Sequence, residues 1–281
     1  MIVHRITRFF VWISGVTIYI EETTKKKGML LKHSIKKIMR RLTGKIGIEV
    51  IPKSKLKDLQ LVRRMQRIIT KYQIDCIIDV GANIGQYRNF LRSDVEYRDL
   101  IISFEPDPSN VLSLKDACKF DKKWIIQDYA LGKKNSGLCL NIMKNSVFNS
   151  FLEPDNSFTK QYEEDNSIID KIHVCVKRLD EVLPELSEHY SFRNVFLKLD
   201  TQGFDLDIFE GCLGCIDMIY GVQTEASVTP IYKNMPLLSD SLKLFKSRGF
   251  DVSGLYPIDD RFPHAHEFNC IYLPCSSAIQ S

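Results

Sequence analysis

The sequence predicts a doubly wound α/β domain with a mostly parallel sheet, preceded by a basic N-terminal extension. From Lys55 onward, short apolar runs alternate with amphipathic segments, and this rhythm is typical of strands joined by helices on both faces of a sheet. The 281 residues, 44% hydrophobic and 26% charged, suffice for one large domain with a full core. We therefore expect residues 1–54 to form the extension and residues 55–281 to form the α/β domain.

The predicted elements follow in order along the chain. An amphipathic helix in "LKDLQLVRRMQRIITKYQ" leads to a buried strand at Asp75–Val80, and a helix begins at Gln86. Next come a strand at "LIISF" (100–104), a helix opening in "DPSNVLSLKDACK" and a strand at "KWIIQDY" (123–129). The interval from Gly137 to Arg178 lacks this rhythm, so we expect an insertion near the ligand side of the sheet. Beyond it we expect a strand, a helix, a strand, a helix and two strands: "NVFLKLD" (194–200), "GFDLDIFEG", "MIYGVQTE" (218–225), "LLSDSLKLFKSRG", "FDVSGLY" and "FNCIYL" (268–273).

Positive charge is concentrated in the extension. Residues 1–45 contain eleven Lys or Arg and two Glu, a balance of +9, whereas the other 236 residues have 28 basic and 33 acidic side chains, a balance of −5. The acid-free segment Lys25–Lys45 has apolar residues at helical spacing, which is typical of a helix on an anionic membrane surface. The pattern also suits a helix packed on the core, or a tail that contacts nucleic acid non-specifically. We expect a cytoplasmic protein with no specific nucleic-acid partner, and peripheral membrane contact is one alternative.

The uncharged run Phe9–Ile20 lies at the start of the extension. As a helix, its twelve residues would span about 18 Å, less than a hydrocarbon core of about 30 Å. A signal peptide fits poorly because no small-residue cleavage site follows. A shallow interfacial anchor and a disordered leader both stay open.

Cysteine usage indicates reduced thiols. The eight cysteines are scattered and most lie inside apolar runs, which is unlike the disulfide framework of a secreted protein. Cys212 and Cys215 form a C-x-x-C pair, but no second pair follows at the spacing of a zinc site. We interpret them as core residues.

A glycine-containing turn follows the first predicted strand of the α/β domain. In doubly wound sheets, ligands bind beyond the carboxyl ends of the strands, where the topology switches. Gly81 and Gly85 allow close approach of a ligand to the backbone, and amides at the start of the next helix can receive an anionic group. The turn reads D-x-G-A-N-I-G, with Ala82 and Asn83 where a dinucleotide fingerprint would have x-G, so it does not match G-x-G-x-x-G.

Two acidic residues follow the next two strands. Glu105 ends its strand 24 residues after Gly81, where a carboxylate can accept both ribose hydroxyl hydrogens. Asp128 ends the third strand and could reach an adenine amino group. The glycine-containing turn, the acid for the ribose and the acid after the third strand follow one another in this order, and together they predict a site for S-adenosylmethionine. Asp79 and the Gly81–Gly85 turn would lie around its methionine part. Alternatively, Asp79 only braces the turn and Asp128 only caps an element.

Five stretches carry a family resemblance. "IIDVGANIGQY", "SFEPDPSN", "YALG", "VKRLDEVL" and "FLKLDTQGFDLDIFEG" resemble the successive blocks of FkbM-type S-adenosylmethionine-dependent methyltransferases, in the same order, over roughly Ile74–Leu273. The resemblance implies a Rossmann-like class I methyltransferase fold and methylation of hydroxyl oxygens, often of sugars or natural products. It further implies that Tyr129 binds the adenine together with Asp128, while the Gly81–Gly85 turn and Glu105 bind the methionine part and the ribose.

Candidates for catalysis lie at the ends of later strands. Asp200 ends "VFLKLD" and Glu225 ends "GVQTE", and both could serve as the base that removes the hydroxyl proton. Lys198 alternates with Asp200 on the same face of its strand and could hold the acceptor. A purely structural Lys–Asp–Glu network is the competing interpretation. The two carboxylates could also bind Mg²⁺, although we assign no metal site.

Further polar residues and rival functions stay open. His173, His264 and His266 are alternative bases, and Asn149 and Ser150 in the insertion could touch an acceptor sugar. A nicotinamide-dependent oxidoreductase is disfavoured by the turn spacing and by the lack of a Y-x-x-x-K element. A non-catalytic cofactor-binding scaffold at a membrane is the other alternative. The acceptor's identity and the oligomeric state do not follow from the sequence.

Overall fold

The computed structural model describes residues 6–13, 16–23, 56, 58–157, 159–258 and 265–275. The chain divides into two compact units, Met1–Arg63 and Arg64–Ser281. In the first unit, strand β1 (Ile6–Ile13) pairs antiparallel with strand β2 (Val16–Thr23). The described residues of the run Phe9–Ile20, which we considered as a helix, therefore lie in two paired strands, in keeping with the many β-branched and aromatic residues of the run. The basic segment Lys25–Lys45 lies outside the described residues.

A seven-stranded sheet forms the centre of the second unit. In spatial order its strands are β11 (Phe250–Pro257), β12 (Glu267–Pro274), β10 (Ile219–Ser227), β9 (Val195–Leu199), β3 (Cys76–Val80), β4 (Leu100–Phe104) and β5 (Trp124–Gln127). Strands β5, β4, β3, β9 and β10 are parallel, and β12 runs antiparallel to both of its neighbours. This confirms the predicted mostly parallel sheet. The strand order reverses at β3, between β4 and β9, which is where a ligand cleft is expected.

Helices connect these strands much as predicted. They are α1 (Leu59–Tyr72), α2 (Gln86–Phe90), α3 (Pro108–Cys118), α4 (Leu179–Tyr190), α5 (Asp205–Glu210) and α6 (Leu238–Ser247). Helix α2 continues into a π-helical turn over Leu91–Val95. Helix α3 has Pro108 in its first turn, and its N-cap Asp107 accepts a hydrogen bond from the backbone N–H of Ser109. Among the described residues, no helix is both long and apolar enough to cross a membrane.

Residues 137–178, which lack the alternation of strands and helices, form most of a second, smaller sheet. Its strands β6 (Ala130–Leu131), β7 (Ser136–Met143) and β8 (Ile168–Lys177) lie in the order β6-β8-β7, and β7 and β8 are antiparallel. Between β7 and β8, a 3₁₀ turn covers Ser146–Phe148. The insertion predicted for residues 137–178 is thus mainly an antiparallel strand pair with a long connection.

Two charged residues, Asp79 and Lys198, are buried in the otherwise apolar core of the sheet. Strands β3 and β9 are buried along their whole length, as expected for central parallel strands, and both are mostly aliphatic. Each nevertheless contains a charged side chain, Asp79 in β3 and Lys198 in β9, with 0% and 4% exposure. A buried charge is costly unless it is paired, so these residues need partners. The C-x-x-C cysteines Cys212 and Cys215 are free, buried thiols in the core.

Candidate active site

A cleft of about 190 Å³ lies at the carboxyl edge of the central strands. It is bounded by the turn after β3, the end of β4, the connection between β7 and β8, and the turn after β9. Polar groups come from Asn83, Glu105, Lys198 and Asp200, and apolar groups such as Phe104 and Leu131 complete the walls. A mostly apolar cleft with a few convergent polar groups is typical of a small-molecule site.

The turn after β3 depends on its two glycines. Gly81 has φ +77°, and a Cβ placed there would lie 1.9 Å from the backbone oxygen of Asp200, so no larger residue fits. Gly85 has φ +90° and precedes α2, and its Cβ would lie 2.8 Å from the ring of Trp124. Gly81 and Ala82 line the cleft, whereas Gly85 does not and instead lets the start of α2 pack on Trp124.

Glu105 is held rigidly at the floor of the cleft. The backbone N–H of Asn83 donates to its Oε2 at 2.7 Å and that of Asp107 donates to its Oε1 at 2.9 Å. The side chain is only 5% exposed, and this burial raises its pKa to about 7 although the two backbone hydrogen bonds oppose the shift. Because a carboxylate oxygen can accept more than one hydrogen bond, both oxygens retain acceptor capacity toward a diol.

Two side-chain hydrogen bonds tie the connection between β7 and β8 to the turn after β3 and to the segment after β4. Nδ2 of Asn83 donates to Oγ of Ser146 at 3.0 Å, and Nδ2 of Asn149 donates to Oδ2 of Asp107 at 3.0 Å. Ser146 and Asn149 both line the cleft. Ser150 lies just behind, and its hydroxyl donates to the backbone oxygen of Gln202 at 2.7 Å. The structure therefore brings the predicted Asn149 to the site, with Ser150 supporting it.

Lys198 is the centre of a buried ionic network. Its Nζ lies 3.0 Å from Oδ1 of Asp79 and 3.3 Å from Oδ2 of Asp200, and it donates to the backbone oxygen of Gly81 at 3.2 Å. The other carboxylate oxygen of Asp79 accepts from Oγ of Ser103 at 3.0 Å. Asp79 is fully buried and does not line the cleft, so it braces Lys198 and the turn from below. Of the two interpretations of Asp79, this placement favours bracing over cofactor contact.

The charges of the network follow from its geometry. Burial lowers the pKa of Lys198, but the carboxylates of Asp200 and Asp79 more than reverse this and hold it above its usual range. Burial raises the pKa of Asp200, but the Lys198 ammonium and hydrogen bonds outweigh burial and leave it lowered. Lys198 is therefore a fixed cation and Asp200 an ionised carboxylate with a side chain 38% exposed. Only Asp200 of this pair is in the protonation state that a base requires.

Glu225 lies behind Asp200 rather than in the cleft. Nε2 of Gln202 donates to Oε2 of Glu225 at 2.9 Å and to Oδ1 of Asp200 at 3.3 Å. Burial, the charge of Asp200 and that of Glu267 raise the pKa of Glu225 well above its usual value. The structure brings the three predicted catalytic residues into one network, but it does not place Glu225 on the surface of the cleft.

Asp128 and Tyr129 lie away from the cleft lining. The Asp128 side chain is 61% exposed and pairs with Nζ of Lys115 at 2.8 Å, which corresponds to the alternative that it serves only locally. Tyr129 packs edge-on against Phe104 with ring centroids 5.5 Å apart, and Nζ of Lys177 lies 4.3 Å from its ring centroid. The structure does not bring these two residues together with the rest of the predicted cofactor site.

The predicted histidines lie outside the cleft lining where the structure describes them. His173 is an exposed residue of β8, opposite Cys139, and His266 lies just before β12. His264 is outside the described residues. Within the described part of the chain, no group of three or more His, Cys, Asp or Glu side chains is arranged to hold a metal ion.

Several site residues escaped the sequence analysis. Gln202, Ser146 and Tyr87 line the cleft, and Trp124 donates to Ser103 beneath it. A signal existed only for Gln202, which follows a buried strand in the polar stretch "DTQGFD". Tyr87 and Ser146 come from a helix and a connection, and Trp124 begins β5; the side to which each of these side chains points cannot be derived from local pattern.

Comparison with known proteins adds a family to this geometry. The profile described as the methyltransferase FkbM domain matches residues 79–252, well over half of the chain. Among solved structures, the chain is similar to the methyltransferase FkbM from Methylobacillus flagellatus KT, with 15% identity, a TM-score of 0.45, and 71% of this chain and 43% of that chain covered. The chain thus spans less than half of that protein's length. A search of curated proteins gave no match.

Two further solved structures show similarity at low identity. Magnesium protoporphyrin IX methyltransferase from Synechocystis PCC 6803, solved with bound SAM, has 8% identity and a TM-score of 0.42, with coverage of 78% of this chain and 81% of that chain. Precorrin-6y C5,15-methyltransferase from Geobacter metallireducens GS-15 has 9% identity and a TM-score of 0.39, with coverage of 77% and 88%.

The family assignment confirms the resemblance found in the sequence and replaces the oxidoreductase alternative. Among the described strands of the sheet, β12 alone is reversed beside an otherwise parallel set, and with the family match this is a Rossmann-like class I methyltransferase fold. With this fold, this cleft and a family match from Asp79 to Val252, the chain belongs to the FkbM family of S-adenosylmethionine-dependent methyltransferases.

Proposed function

We propose that this chain methylates a hydroxyl oxygen, on a sugar, a glycan or a natural-product acceptor. The observation that carries the proposal is Asp200, an ionised and partly exposed carboxylate in the cleft wall beside a fixed ammonium group. A hydroxyl becomes acidic as its oxygen attacks the methyl group, so a positioned carboxylate that accepts the proton assists this step. Methylation of an amine or a carboxylate would depend less on such a base.

The residues present fit S-adenosylmethionine. Gly81, Ala82 and Asn83 offer a backbone that can approach the methionine part closely, and Glu105 offers two fixed acceptor oxygens for the ribose diol. When bound, S-adenosylmethionine supplies a methyl group on an electrophilic sulfonium. Because Glu105 is buried, its contact with a diol would be shielded from water and correspondingly strong.

The remaining task of the protein is alignment and proton transfer. We expect Asp200 to take the hydroxyl proton on the carboxylate oxygen that faces the cleft. Lys198 cannot exchange this proton at neutral pH, since its own pKa is raised, and instead it fixes the orientation of Asp200. Holding donor and acceptor in a reactive geometry contributes the larger part of such a catalysis. No metal is assigned a role in this proposal.

The test combines product analysis with one substitution. The protein is incubated with methyl-labelled S-adenosylmethionine and a panel of hydroxyl-bearing sugars and natural products, and labelled products are analysed by mass spectrometry and alkaline hydrolysis. An alkali-stable methyl ether is the expected product. Asp200→Asn should lose at least about 100-fold in turnover, the lower range for loss of a general base, while S-adenosylhomocysteine binds as before.

The exposed Asp116 supplies a matched control. Asp116→Asn removes a carboxylate that is 78% exposed on α3 and should leave turnover unchanged. A labelled methyl group found on nitrogen or carbon, or full turnover in Asp200→Asn, would contradict the proposal. Tight binding of S-adenosylhomocysteine without transfer to any acceptor would favour the scaffold alternative.

A further inference from the structure

We propose that Gln202 is a positioning residue for methyl transfer, which fixes the carboxylate of Asp200 toward the cleft by clamping it together with Glu225. This inference rests on the proposed function, since it assigns a task relative to Asp200 as the base. Gln202 lies in the stretch "FLKLDTQGFDLDIFEG" and inside the family match, but neither of these assigns it a role. Its position, its partners and its backbone conformation together carry the argument.

The backbone at Gln202 is unusual. Its φ is +53°, in the left-handed region that non-glycine residues rarely occupy, and the next residue, Gly203, has φ +93°. The hydroxyl of Ser150 donates to the backbone oxygen of Gln202 and helps to hold this conformation. The turn directs the Gln202 side chain toward the carboxyl groups of Asp200, just after β9, and of Glu225, near the end of β10. A strained conformation at the wall of a cleft is a reason to look for function.

The side-chain amide of Gln202 is oriented by its partners. Its Oε1 lies 2.9 Å from the hydroxyl of the fully buried Tyr232, and this hydroxyl also lies 2.8 Å from the backbone oxygen of Phe148, so the two oxygens share its one hydrogen as acceptors. The opposite end, Nε2, donates to Oδ1 of Asp200 at 3.3 Å and to Oε2 of Glu225 at 2.9 Å. Since Nε2 is a donor with two hydrogens, it can serve both carboxyl groups at once.

This arrangement gives each oxygen of Asp200 one fixed donor. Lys198 lies against Oδ2 and Gln202 lies against Oδ1, which fixes the carboxylate while other lone pairs remain available in the cleft. Burial and the charge of Asp200 raise the pKa of Glu225 well above its usual value, whereas the pKa of Asp200 is lowered, so Asp200 is the ionised member of this pair. The hydrogen bond from Gln202 lowers the pKa of Asp200 and so helps to keep its carboxylate ionised and oriented.

Other titratable groups face this pair and contribute to its charge balance. Besides Lys198, the electrostatic neighbours of Asp200 or Glu225 among the described residues are Tyr87 on α2, Asp205 on α5, Tyr232 in the loop after β10, and Glu267 and Cys270 on β12. Removing the amide of Gln202 leaves all of them in place. A change in the titration of Asp200 after such a substitution therefore reports the loss of the hydrogen bonds that Gln202 donates to Asp200 and Glu225.

The test compares Gln202→Met with a matched control. Methionine keeps the length of the side chain but has no donor. Gln73→Met is the control because Gln73 is an exposed glutamine with a similar left-handed backbone, φ +51°, outside the cleft lining. For Gln202→Met we expect kcat to fall at least tenfold, KM for S-adenosylmethionine to stay within twofold, and the acidic limb of the kcat–pH profile to move upward by about one unit. Gln73→Met should match the unaltered protein in all three.

A carboxyl ¹³C NMR titration provides a readout that needs no acceptor. The Asp200 resonance is identified by its loss in Asp200→Asn, and its midpoint should rise in Gln202→Met. Gln202→Glu, which replaces the donor by an acceptor, should raise it further and serves if the methionine variant does not fold. If the Asp200 midpoint is unchanged in a folded Gln202 variant, the positioning role is overturned and the proposed function is not. The same holds if the variant loses melting temperature and cofactor affinity but its kcat–pH profile does not shift. Full turnover of Asp200→Asn would show that Asp200 is not the base, and this result would overturn both this inference and the proposed function.

Discussion

At the scale of single residues, Glu105 combines deep burial with two backbone hydrogen bonds. Burial favours the protonated carboxyl, whereas the N–H groups of Asn83 and Asp107 favour the ionised one, and burial prevails with a pKa of about 7. A ribose diol would add two more donors to the carboxylate. Ligand binding and ionisation of Glu105 should therefore be coupled near neutral pH.

This coupling predicts a pH dependence of binding and of stability. The affinity for S-adenosylhomocysteine should rise with pH and fall by up to about tenfold per unit below pH 7. Stability should change in the opposite direction. The native state retains the Glu105 proton to higher pH than the unfolded chain does, so this contribution is full below about 4.5 and is lost as the pH rises through about 7. Calorimetric titrations and melting curves at pH 5.5 to 8 measure both.

Other groups contribute to the stability trend with the same sign. Burial raises the pKa of Asp205 to about 6 and that of Glu267 to about 7. The comparison is therefore made with Glu105→Gln, which should show a weaker loss of stability over this pH range. An identical slope in both proteins would mean that Glu105 titrates as an ordinary exposed acid.

Two lysine–aspartate pairs of similar length differ in burial, and the buried lysine also contacts Asp200. Lys198 is 5% exposed beside a fully buried Asp79, whereas Lys115 and Asp128 are 51% and 61% exposed. Lys198→Met should lower the free energy of unfolding by about 3–5 kcal/mol, because it leaves a buried carboxylate unpaired. Lys115→Met should cost less than about 1 kcal/mol, since an exposed pair is screened by water. Urea denaturation measures both, and equal effects would contradict the network described for Asp79.

At the scale of elements, the turn after β3 is determined by steric contacts. Gly81 and Gly249 have nearly the same φ, +77° and +80°, but a Cβ at Gly81 would overlap the backbone of Asp200, whereas a Cβ at Gly249 has nothing within 4 Å. The two glycines therefore separate the cost of left-handed backbone from the cost of overlap.

Alanine at each position tests this distinction. Gly249→Ala should cost about 1–2 kcal/mol, the penalty for a left-handed alanine. Gly81→Ala should cost more than about 3 kcal/mol, because overpacking is added and backbone must move. Chemical denaturation gives both values, and Gly81→Ala should also lose cofactor binding. Similar costs for the two variants would contradict the close approach of the turn to Asp200.

The same elements show what the sequence could predict. The ends of β3, β4 and β9 are visible as apolar runs that stop at a polar residue, so Glu105, Lys198 and Asp200 were correctly expected at one edge. The direction of Asp128 was not visible, because its contact with Lys115 depends on how α3 packs beside the end of β5. Likewise, the roles of Ser146 and Gln202 depend on contacts across 63 and 23 residues, which no local pattern encodes.

At the scale of the whole molecule, the structure confirms the predicted order of strands and helices in the second unit, whereas the described residues 6–13 and 16–23 form strands that were not predicted. Alternation between buried strands and amphipathic helices determines a parallel sheet almost uniquely, because right-handed crossovers limit the topology. The hairpin β1–β2 was missed because an apolar run of this length suits a helix or a strand equally.

We propose that the extension holds the enzyme at an anionic membrane, where a lipid-linked or surface glycan could be met. Its balance of +9 over residues 1–45 has no evident task in methyl transfer. Basic residues near an anionic surface contribute about 1 kcal/mol each, and the attraction falls off within a Debye length. Even partial contact would give appreciable binding.

Vesicle co-sedimentation tests this membrane proposal. Full-length protein and a version starting at Lys45 are compared on anionic and neutral vesicles, at low and raised salt. Sedimentation should be confined to the full-length protein on anionic vesicles and should weaken with salt. Equal sedimentation of both versions, or of neither, would refute the proposal.

The measurement that tests the central claim most directly is a calorimetric titration with S-adenosylhomocysteine, with NADH as the comparison ligand. The cleft described here predicts micromolar binding of S-adenosylhomocysteine and none of NADH at the same concentrations. Glu105→Ala should weaken that binding by about 1.5–3 kcal/mol, the range for hydrogen bonds to a charged group, in a protein that still melts cooperatively. Unchanged affinity in folded Glu105→Ala, or binding of NADH in preference to S-adenosylhomocysteine, would contradict the account of this site.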